Sequence, residues 1–264
     1  MMQLPHKSAA KRETFDLKGH RTLIITTSQS TLDEVDPNSG VTKKTGKATG
    51  VYASEMTEPY YVFLEAGMDV DIASIQGGKI PIEKLSLMPF VRTSYDSRYL
   101  KDLSLQKKVE SSIPIANINV DDYDIIFISG GWGAAYDLAQ SEVLSDKISK
   151  AYAKEVVLGA LCHGALGFIG AQKPDGSPLV EDVKITGVTN KQLKELMVGE
   201  TPKHPETELK TANAKYTSKT GLIDMFKSHI EVDKKHLIVT GQNQKCGVET
   251  AQEVMRLFVE KSNQ

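Results

Sequence analysis

Only two cysteines, Cys162 and Cys246, occur in 264 residues. They allow one bridge at most, so a disulfide scaffold is excluded, and two free thiols suit a reducing compartment. The usual multi-cysteine structural zinc site is excluded as well. The six histidines form no HxxxH or HExxH pair, and no metal site is expected. Excess charge is also scarce: the formal net charge is −2, which rules out a strongly basic surface and argues against nucleic-acid or acidic-membrane partners. No apolar run approaches the ~20 residues of a membrane helix. The N-terminal stretch MMQLPHKSAAKRETFDL is polar and lacks the apolar core of a signal peptide, so a cytoplasmic location is expected. Hydrophobic residues make up 40% and charged residues 25% of the chain, as in ordinary globular domains.

What is present is an alternation of apolar strands and amphipathic helices. RTLIITT (21–27) is a β-branched run that predicts a buried strand. A long polar loop follows. SEMTEPYYVFLEAG then places Met56, Tyr60, Phe63 and Leu64 at helical spacing, and Gly67 closes the helix. MDVDIAS (68–74) alternates as a strand does. SRYLKDLSLQKKVESS (97–112) reads as an exposed helix, YDIIFISGG (123–131) as a strand, and SEVLSDKISKAYAKE (141–155) as an amphipathic helix. VVLGALC (156–162) predicts a third buried strand, with HGALGFIGA continuing as a helix. Strand VKITGV (183–188), helices KQLKELMV (191–198) and PETELKTAN (205–213), strand HLIVTG (236–241) and a final helix complete the pattern. Crossover helices separate parallel strands, so the expected class is α/β: a mostly parallel sheet sandwiched by helices, flavodoxin-like.

In open α/β sheets, functional groups gather at the carboxyl ends of strands. Three such ends stand out: Ser129-Gly130-Gly131-Trp132-Gly133, Cys162-His163-Gly164, and Gly187-Val188-Thr189-Asn190. Glu55 at the start of the first helix can join them. Cys162 has small residues two places before and after it, Ala160 and Gly164. A strand-to-helix elbow that exposes a nucleophile needs those small residues, because neighbouring backbone comes close. A helix N-terminus after the elbow favours the thiolate. Cys246, just before the last helix, has the same argument for a lowered pKa. His204 and His229 read as isolated, Asp121, Asp122 and Asp124 as solvated loop charges, and Tyr60 and Tyr61 as core.

These motifs resemble the DJ-1/PfpI superfamily, within the class I glutamine amidotransferase-like fold. The likeness is to the branch of heat-shock chaperones with glyoxalase III activity. ALCHG (160–164) is similar to the nucleophile motif and TGVYASEMTEPYYVFLEAGMDVDIAS (49–74) to the first helix, with its acidic residue at Glu55. DYDIIFISGGWGAAYDL (122–138) is similar to the glycine turn, and HLIVTGQNQKCGVETAQ (236–252) to the last strand and helix. The resemblance covers roughly residues 20–260. It implies a tail over 1–19 and a single domain over 20–264, with insertions around 28–48 and 79–120. It implies Cys162 as nucleophile, Glu55 beside it for proton transfer, His163 as a further catalytic residue, and a pocket with oxyanion donors around Gly130, Gly131 and Trp132. The implied activity is that of a glyoxalase III-like lyase of the hydro-lyase class. It would turn small 2-oxoaldehydes such as methylglyoxal into hydroxy acids, without glutathione or any cofactor, as a homodimer. A redox-sensing stress protein or holdase, a pseudoenzyme and an amidase on the same fold stand as alternatives.

Three positions depart from the pattern. Trp132 replaces the histidine of a Gly-Gly-His-Gly turn, and an indole cannot accept a proton. Ala165 replaces a proline. Leu193 stands where an acid orients the histidine after the cysteine, and Glu195 is predicted to point elsewhere. His163 is therefore expected to lack its orienting carboxylate.

Overall fold

The computed structural model of the chain describes residues 13–36, 39–196, 201–224 and 227–263. Its strands are β1 (Arg21–Thr26), β2 (Glu34–Val35), β3 (Thr42–Lys43), β4 (Asp69–Ser74), β5 (Ile113–Pro114), β6 (Ile125–Ile128), β7 (Val157–Leu161), β8 (Lys184–Ile185), β9 (Lys215–Tyr216), β10 (Ile230–Asp233) and β11 (Ile238–Gly241). The helices are α1 (Ala53–Glu65), α2 (Ser94–Tyr99), α3 (Leu103–Glu110), α4 (Ala134–Asp137), α5 (Glu142–Ala153), α6 (Asn190–Glu195), α7 (Pro205–Thr211) and α8 (Gly247–Ser262).

The main sheet runs in the order β10-β11-β7-β6-β1-β4-β5. Its pairs are parallel except β10 with β11, as the strand–helix alternation predicts. Period-two alternation sorts each strand onto two cores. Ile24, Ile125, Phe127, Val157 and Leu161 face the layer that contains α1 and α8. Leu23, Ile25, Ile126, Ile128, Leu158 and Ala160 face the layer that contains α5. Each strand is apolar on both sides because helices cover both faces. From β1 the chain steps to β4 on one side and later returns to β6 on the other, so the order reverses beside β1. The carboxyl ends near such a reversal form the crevice where open sheets place their sites.

Four expectations change. The segment 97–112 is not one exposed helix but parts of α2 and α3. The Asp102 side chain accepts from Ser104 N and Leu105 N, starting a second helix, and Tyr99, Leu105 and Val109 are buried. After β7 the chain forms a seven-residue 3-10 segment, Cys162–Phe168, rather than an α-helix. Of 183–188 only β8 is strand, and it pairs with β9 in a separate two-stranded sheet. β10 adds an antiparallel edge where no strand is expected. The ends of two predicted stretches, residues 1–12 of the tail and 197–198 of the helix 191–198, lie outside the described residues. Among the described residues, no helix is long and apolar enough to cross a membrane.

Gly67 closes α1 as expected, with φ +88° and its N–H on the Leu64 carbonyl. Inside α1, Pro59 has no N–H to give to the Glu55 carbonyl four residues back. The Ser129 hydroxyl takes that place, donating to Glu55 O at 2.8 Å. A helix defect is thereby converted into a tie between α1 and the end of β6, one residue before the glycine turn.

Candidate active site

Cys162 sits where β7 ends, with φ +58°. A non-glycine residue in this region is strained by about 1–3 kcal/mol, and the surroundings must hold it there. Gly164 shows how tight they are: a Cβ would lie 2.2 Å from the Ile128 carbonyl oxygen. The predicted elbow is therefore present. The dipole argument for the thiolate is not, because no α-helix follows. Burial instead pushes the Cys162 thiol well up, an ionised Glu55 would add to this, and the His163 backbone N–H pulls the other way. Cys246 is likewise pushed up by burial, against the expected lowering. Its thiol faces the His229 carbonyl oxygen at 3.4 Å.

Glu55, in the first turn of α1, is fully enclosed, and its carboxyl reaches the Cys162 sulfur. Burial holds its pKa well above the ordinary carboxylate value, which favours the protonated form. The Gly130 N–H donates to Oε2 at 3.1 Å. A Cβ at Gly130 would lie 2.6 Å from the same oxygen and 2.7 Å from His163 N, so only glycine admits the carboxyl.

His163 is buried, with Nδ1 3.5 Å from the Cys162 sulfur. Burial, with His204 alongside, lowers its pKa to about 3. It is a neutral imidazole across the physiological range and a weak base. Its Nε2 has no hydrogen-bond partner among the described residues. Leu193, at the position of the missing acid, is buried in the apolar cluster that also holds Cys162. The Glu195 carboxylate is engaged elsewhere, accepting from Asp224 N at 2.9 and 3.0 Å. His204, read as isolated, in fact neighbours His163 from the start of α7.

The glycine turn arches over this pair. Gly131 has φ +103°, and a Cβ there would lie 2.4 Å from Tyr52 N. Trp132 lays its indole at 53° against the His163 ring, with centroids 4.9 Å apart. The imidazole expected of the family is replaced by an apolar wall. Three amides of the turn are taken: Gly130 by Glu55, Trp132 by Glu83 Oε1 at 2.7 Å, and Gly133 by the Gly50 carbonyl at 3.2 Å. The Gly131 N–H has no acceptor among the described residues, which leaves it available to a substrate oxygen.

Two residues here were not singled out from the sequence. Glu83 is half-buried, and burial raises its pKa to about 7 against the pull of its two hydrogen bonds. Tyr52, just before α1, has its phenol raised by burial first and by Glu55 next. The signal for Tyr52 was its place beside the first helix. Glu83 had none, because 79–120 lacks a clear period. Among the described residues, no group of three or more His, Cys, Asp or Glu could hold a metal ion.

Comparison with known proteins finds relatives in sequence and in fold. A family model described as the DJ-1/PfpI family matches residues 47–257. The glutathione-independent glyoxalase HSP31 of Saccharomyces cerevisiae is 33% identical over 171 residues, which span 64% of this chain and 69% of that protein. Glyoxalase 3 of Candida albicans is 29% identical over 223 residues, 81% of this chain and 91% of that one. The crystal structure of glyoxalase III from Candida albicans superposes with a TM-score of 0.74 at 25% identity, covering 90% of this chain and 97% of that one. The Rapid Encystment Protein 24 KDa of Francisella tularensis gives 0.78 at 29% identity, covering 90% and 99%.

Proposed function

Because the chain belongs to the DJ-1/PfpI family, we propose that it is a glutathione-independent glyoxalase, a lyase that converts small 2-oxoaldehydes such as methylglyoxal to 2-hydroxy acids. The observation that carries this reading is the pairing of Cys162, on a strained elbow, with the buried Glu55 carboxyl that reaches its sulfur. Relatives named as glyoxalases support it.

Glu55 in acid form has one oxygen that donates and one that accepts. As sulfur bonds to the aldehyde carbon, the accepting oxygen takes the thiol proton and the other gives its proton to the carbonyl oxygen. A hemithioacetal forms, and Glu55 ends as it began. The same exchange then takes the proton from C1 and protonates the neighbouring carbonyl oxygen, giving an enediol. Its reversal, with C2 receiving the proton and the C1 hydroxyl losing one, leaves a thioester on Cys162. Water cleaves the thioester to the hydroxy acid and the free thiol. The Gly131 N–H is the donor left open for the oxygen that gains charge, because the His163 N–H is on the Cys162 sulfur. His163, neutral and weakly basic, adds little proton transfer, so the work falls to Glu55.

This reading treats residues 20–264 as one domain, with 28–48 and 79–120 as insertions and 1–19 as a tail. It places the protein in the cytoplasm as a homodimer that binds neither nucleic acid nor membrane; buried free thiols and a near-neutral charge fit it. The test is lactate release from methylglyoxal without glutathione. Parent activity no greater than that of Cys162→Ala overturns it.

Leu193 supplies a second test. Leu193→Glu puts a carboxyl into an apolar cluster, so Tm is expected to fall by several degrees and turnover to rise less than about tenfold. A gain of about 10³-fold or more would show instead that the absent orienting acid limits the reaction.

A further inference from the structure

Residues 80–86 form a strap across the site. Val51 N donates to the Pro81 carbonyl at 2.9 Å, and Glu83 N donates to the Val51 carbonyl at 3.0 Å. Ala53 N, at the start of α1, donates to the Ser86 hydroxyl at 3.0 Å. The approach is so close that a Cβ at Gly50 would lie 2.0 Å from the Pro81 oxygen. The strap is thus fixed to the segment that delivers Glu55. From it the Glu83 carboxylate crosses to the glycine turn and accepts the Trp132 N–H at 2.7 Å, with the Thr49 hydroxyl at 3.4 Å on the same oxygen.

Gly131, the turn residue whose amide is open, therefore lies between two carboxyl anchors. Glu55 holds the amide before it and Glu83 the amide after it. The Gly130 carbonyl, in the same peptide plane as the Gly131 N–H, accepts from Tyr52 N at 3.4 Å, and the two carboxyls hold the planes on either side, so together they aim the donor. We propose that Glu83 is a positioning residue of this site: its carboxylate fixes the Trp132 amide and so helps to aim the Gly131 N–H at the substrate oxygen. The proposal rests on the glyoxalase reading only for its turnover readout.

Two variants test the positioning. Glu83→Ala removes the acceptor, and kcat for methylglyoxal is expected to fall by about tenfold to hundredfold with KM changed by less than about threefold. Glu83→Gln keeps an acceptor oxygen and should recover most of that loss. Amide-proton NMR reads the Trp132 N–H directly: its shift should move upfield in Glu83→Ala and stay near the parent position in Glu83→Gln. A Glu83→Ala protein with parent kcat or with the parent Trp132 amide shift overturns the proposal. If Glu83→Ala does not fold, as judged by circular dichroism, Glu83→Gln decides alone, and a displaced Trp132 amide shift in it overturns the proposal. If the parent releases no lactate, the glyoxalase reading fails, and the Trp132 amide shift still decides the role of Glu83.

Discussion

Glu55→Gln is expected to lower methylglyoxal turnover by about 10²–10⁴-fold, the usual range for a lost acid–base group, while the protein stays folded. The amide keeps an oxygen for the Gly130 N–H, which Glu55 now accepts at 3.1 Å. It has no proton to exchange between sulfur and carbonyl oxygen. The same variant carries a stability signature of definite sign. Burial raises the Glu55 pKa in the folded chain above its value in the unfolded chain. Between those two values the folded state holds a proton that the unfolded state has released, so parent stability falls as pH rises through the window. Glu83 and Asp137, raised by burial to about 7 and about 6, act in the same direction. Glu55→Gln removes one contributor, so its stability relative to the parent should improve with rising pH. Urea midpoints at acid and neutral pH measure this, with kcat from lactate release. Turnover at the parent level would remove Glu55 from the mechanism, and a variant that loses stability relative to the parent as pH rises would contradict the raised pKa of the buried carboxyl.

The second large effect is expected at Gly164. A Cβ there would lie 2.2 Å from the Ile128 carbonyl oxygen and 2.9 Å from its carbon. Both are backbone atoms in the centre of the sheet, so no side chain can swing aside. Either β6 or the elbow must shift, and Gly164→Ala should cost about 3 kcal/mol or more. For a chain of this size that is a fall in Tm of roughly 6–12 °C. Turnover should fall further than stability explains, because the shift also moves the His163 N–H. Gly176→Ala is the control. Its φ is +84°, but nothing lies within 4 Å of the added carbon, so only the backbone penalty of about 1 kcal/mol applies. Calorimetry on both proteins checks the contrast. Equal losses would mean that the elbow tolerates a methyl group and is not closely packed.

Residue pattern alone determined a great deal here. Apolar runs of the right length at 21–27, 123–131 and 156–162 lie where β1, β6 and β7 form. Side chains buried on both faces of a covered sheet leave an unbroken apolar run, which is legible without coordinates. Ala160 and Gly164 around Cys162 marked the elbow, because close backbone approach limits residue size at those positions. The IEVD alternation of β10 and the Asp102 helix start are legible in the chain too. Tertiary structure alone decided the rest. Pro59 needs Ser129, and the Trp132 amide needs Glu83; each pair is far apart in the chain and joined by a main-chain group that no side-chain pattern records. The acid–base state of the site was also out of reach. Local order placed a helix N-terminus after Cys162, whereas enclosure by several elements raises both Cys162 and Glu55. Desolvation depends on what surrounds a group from every side, and a linear sequence specifies only its neighbours along the chain.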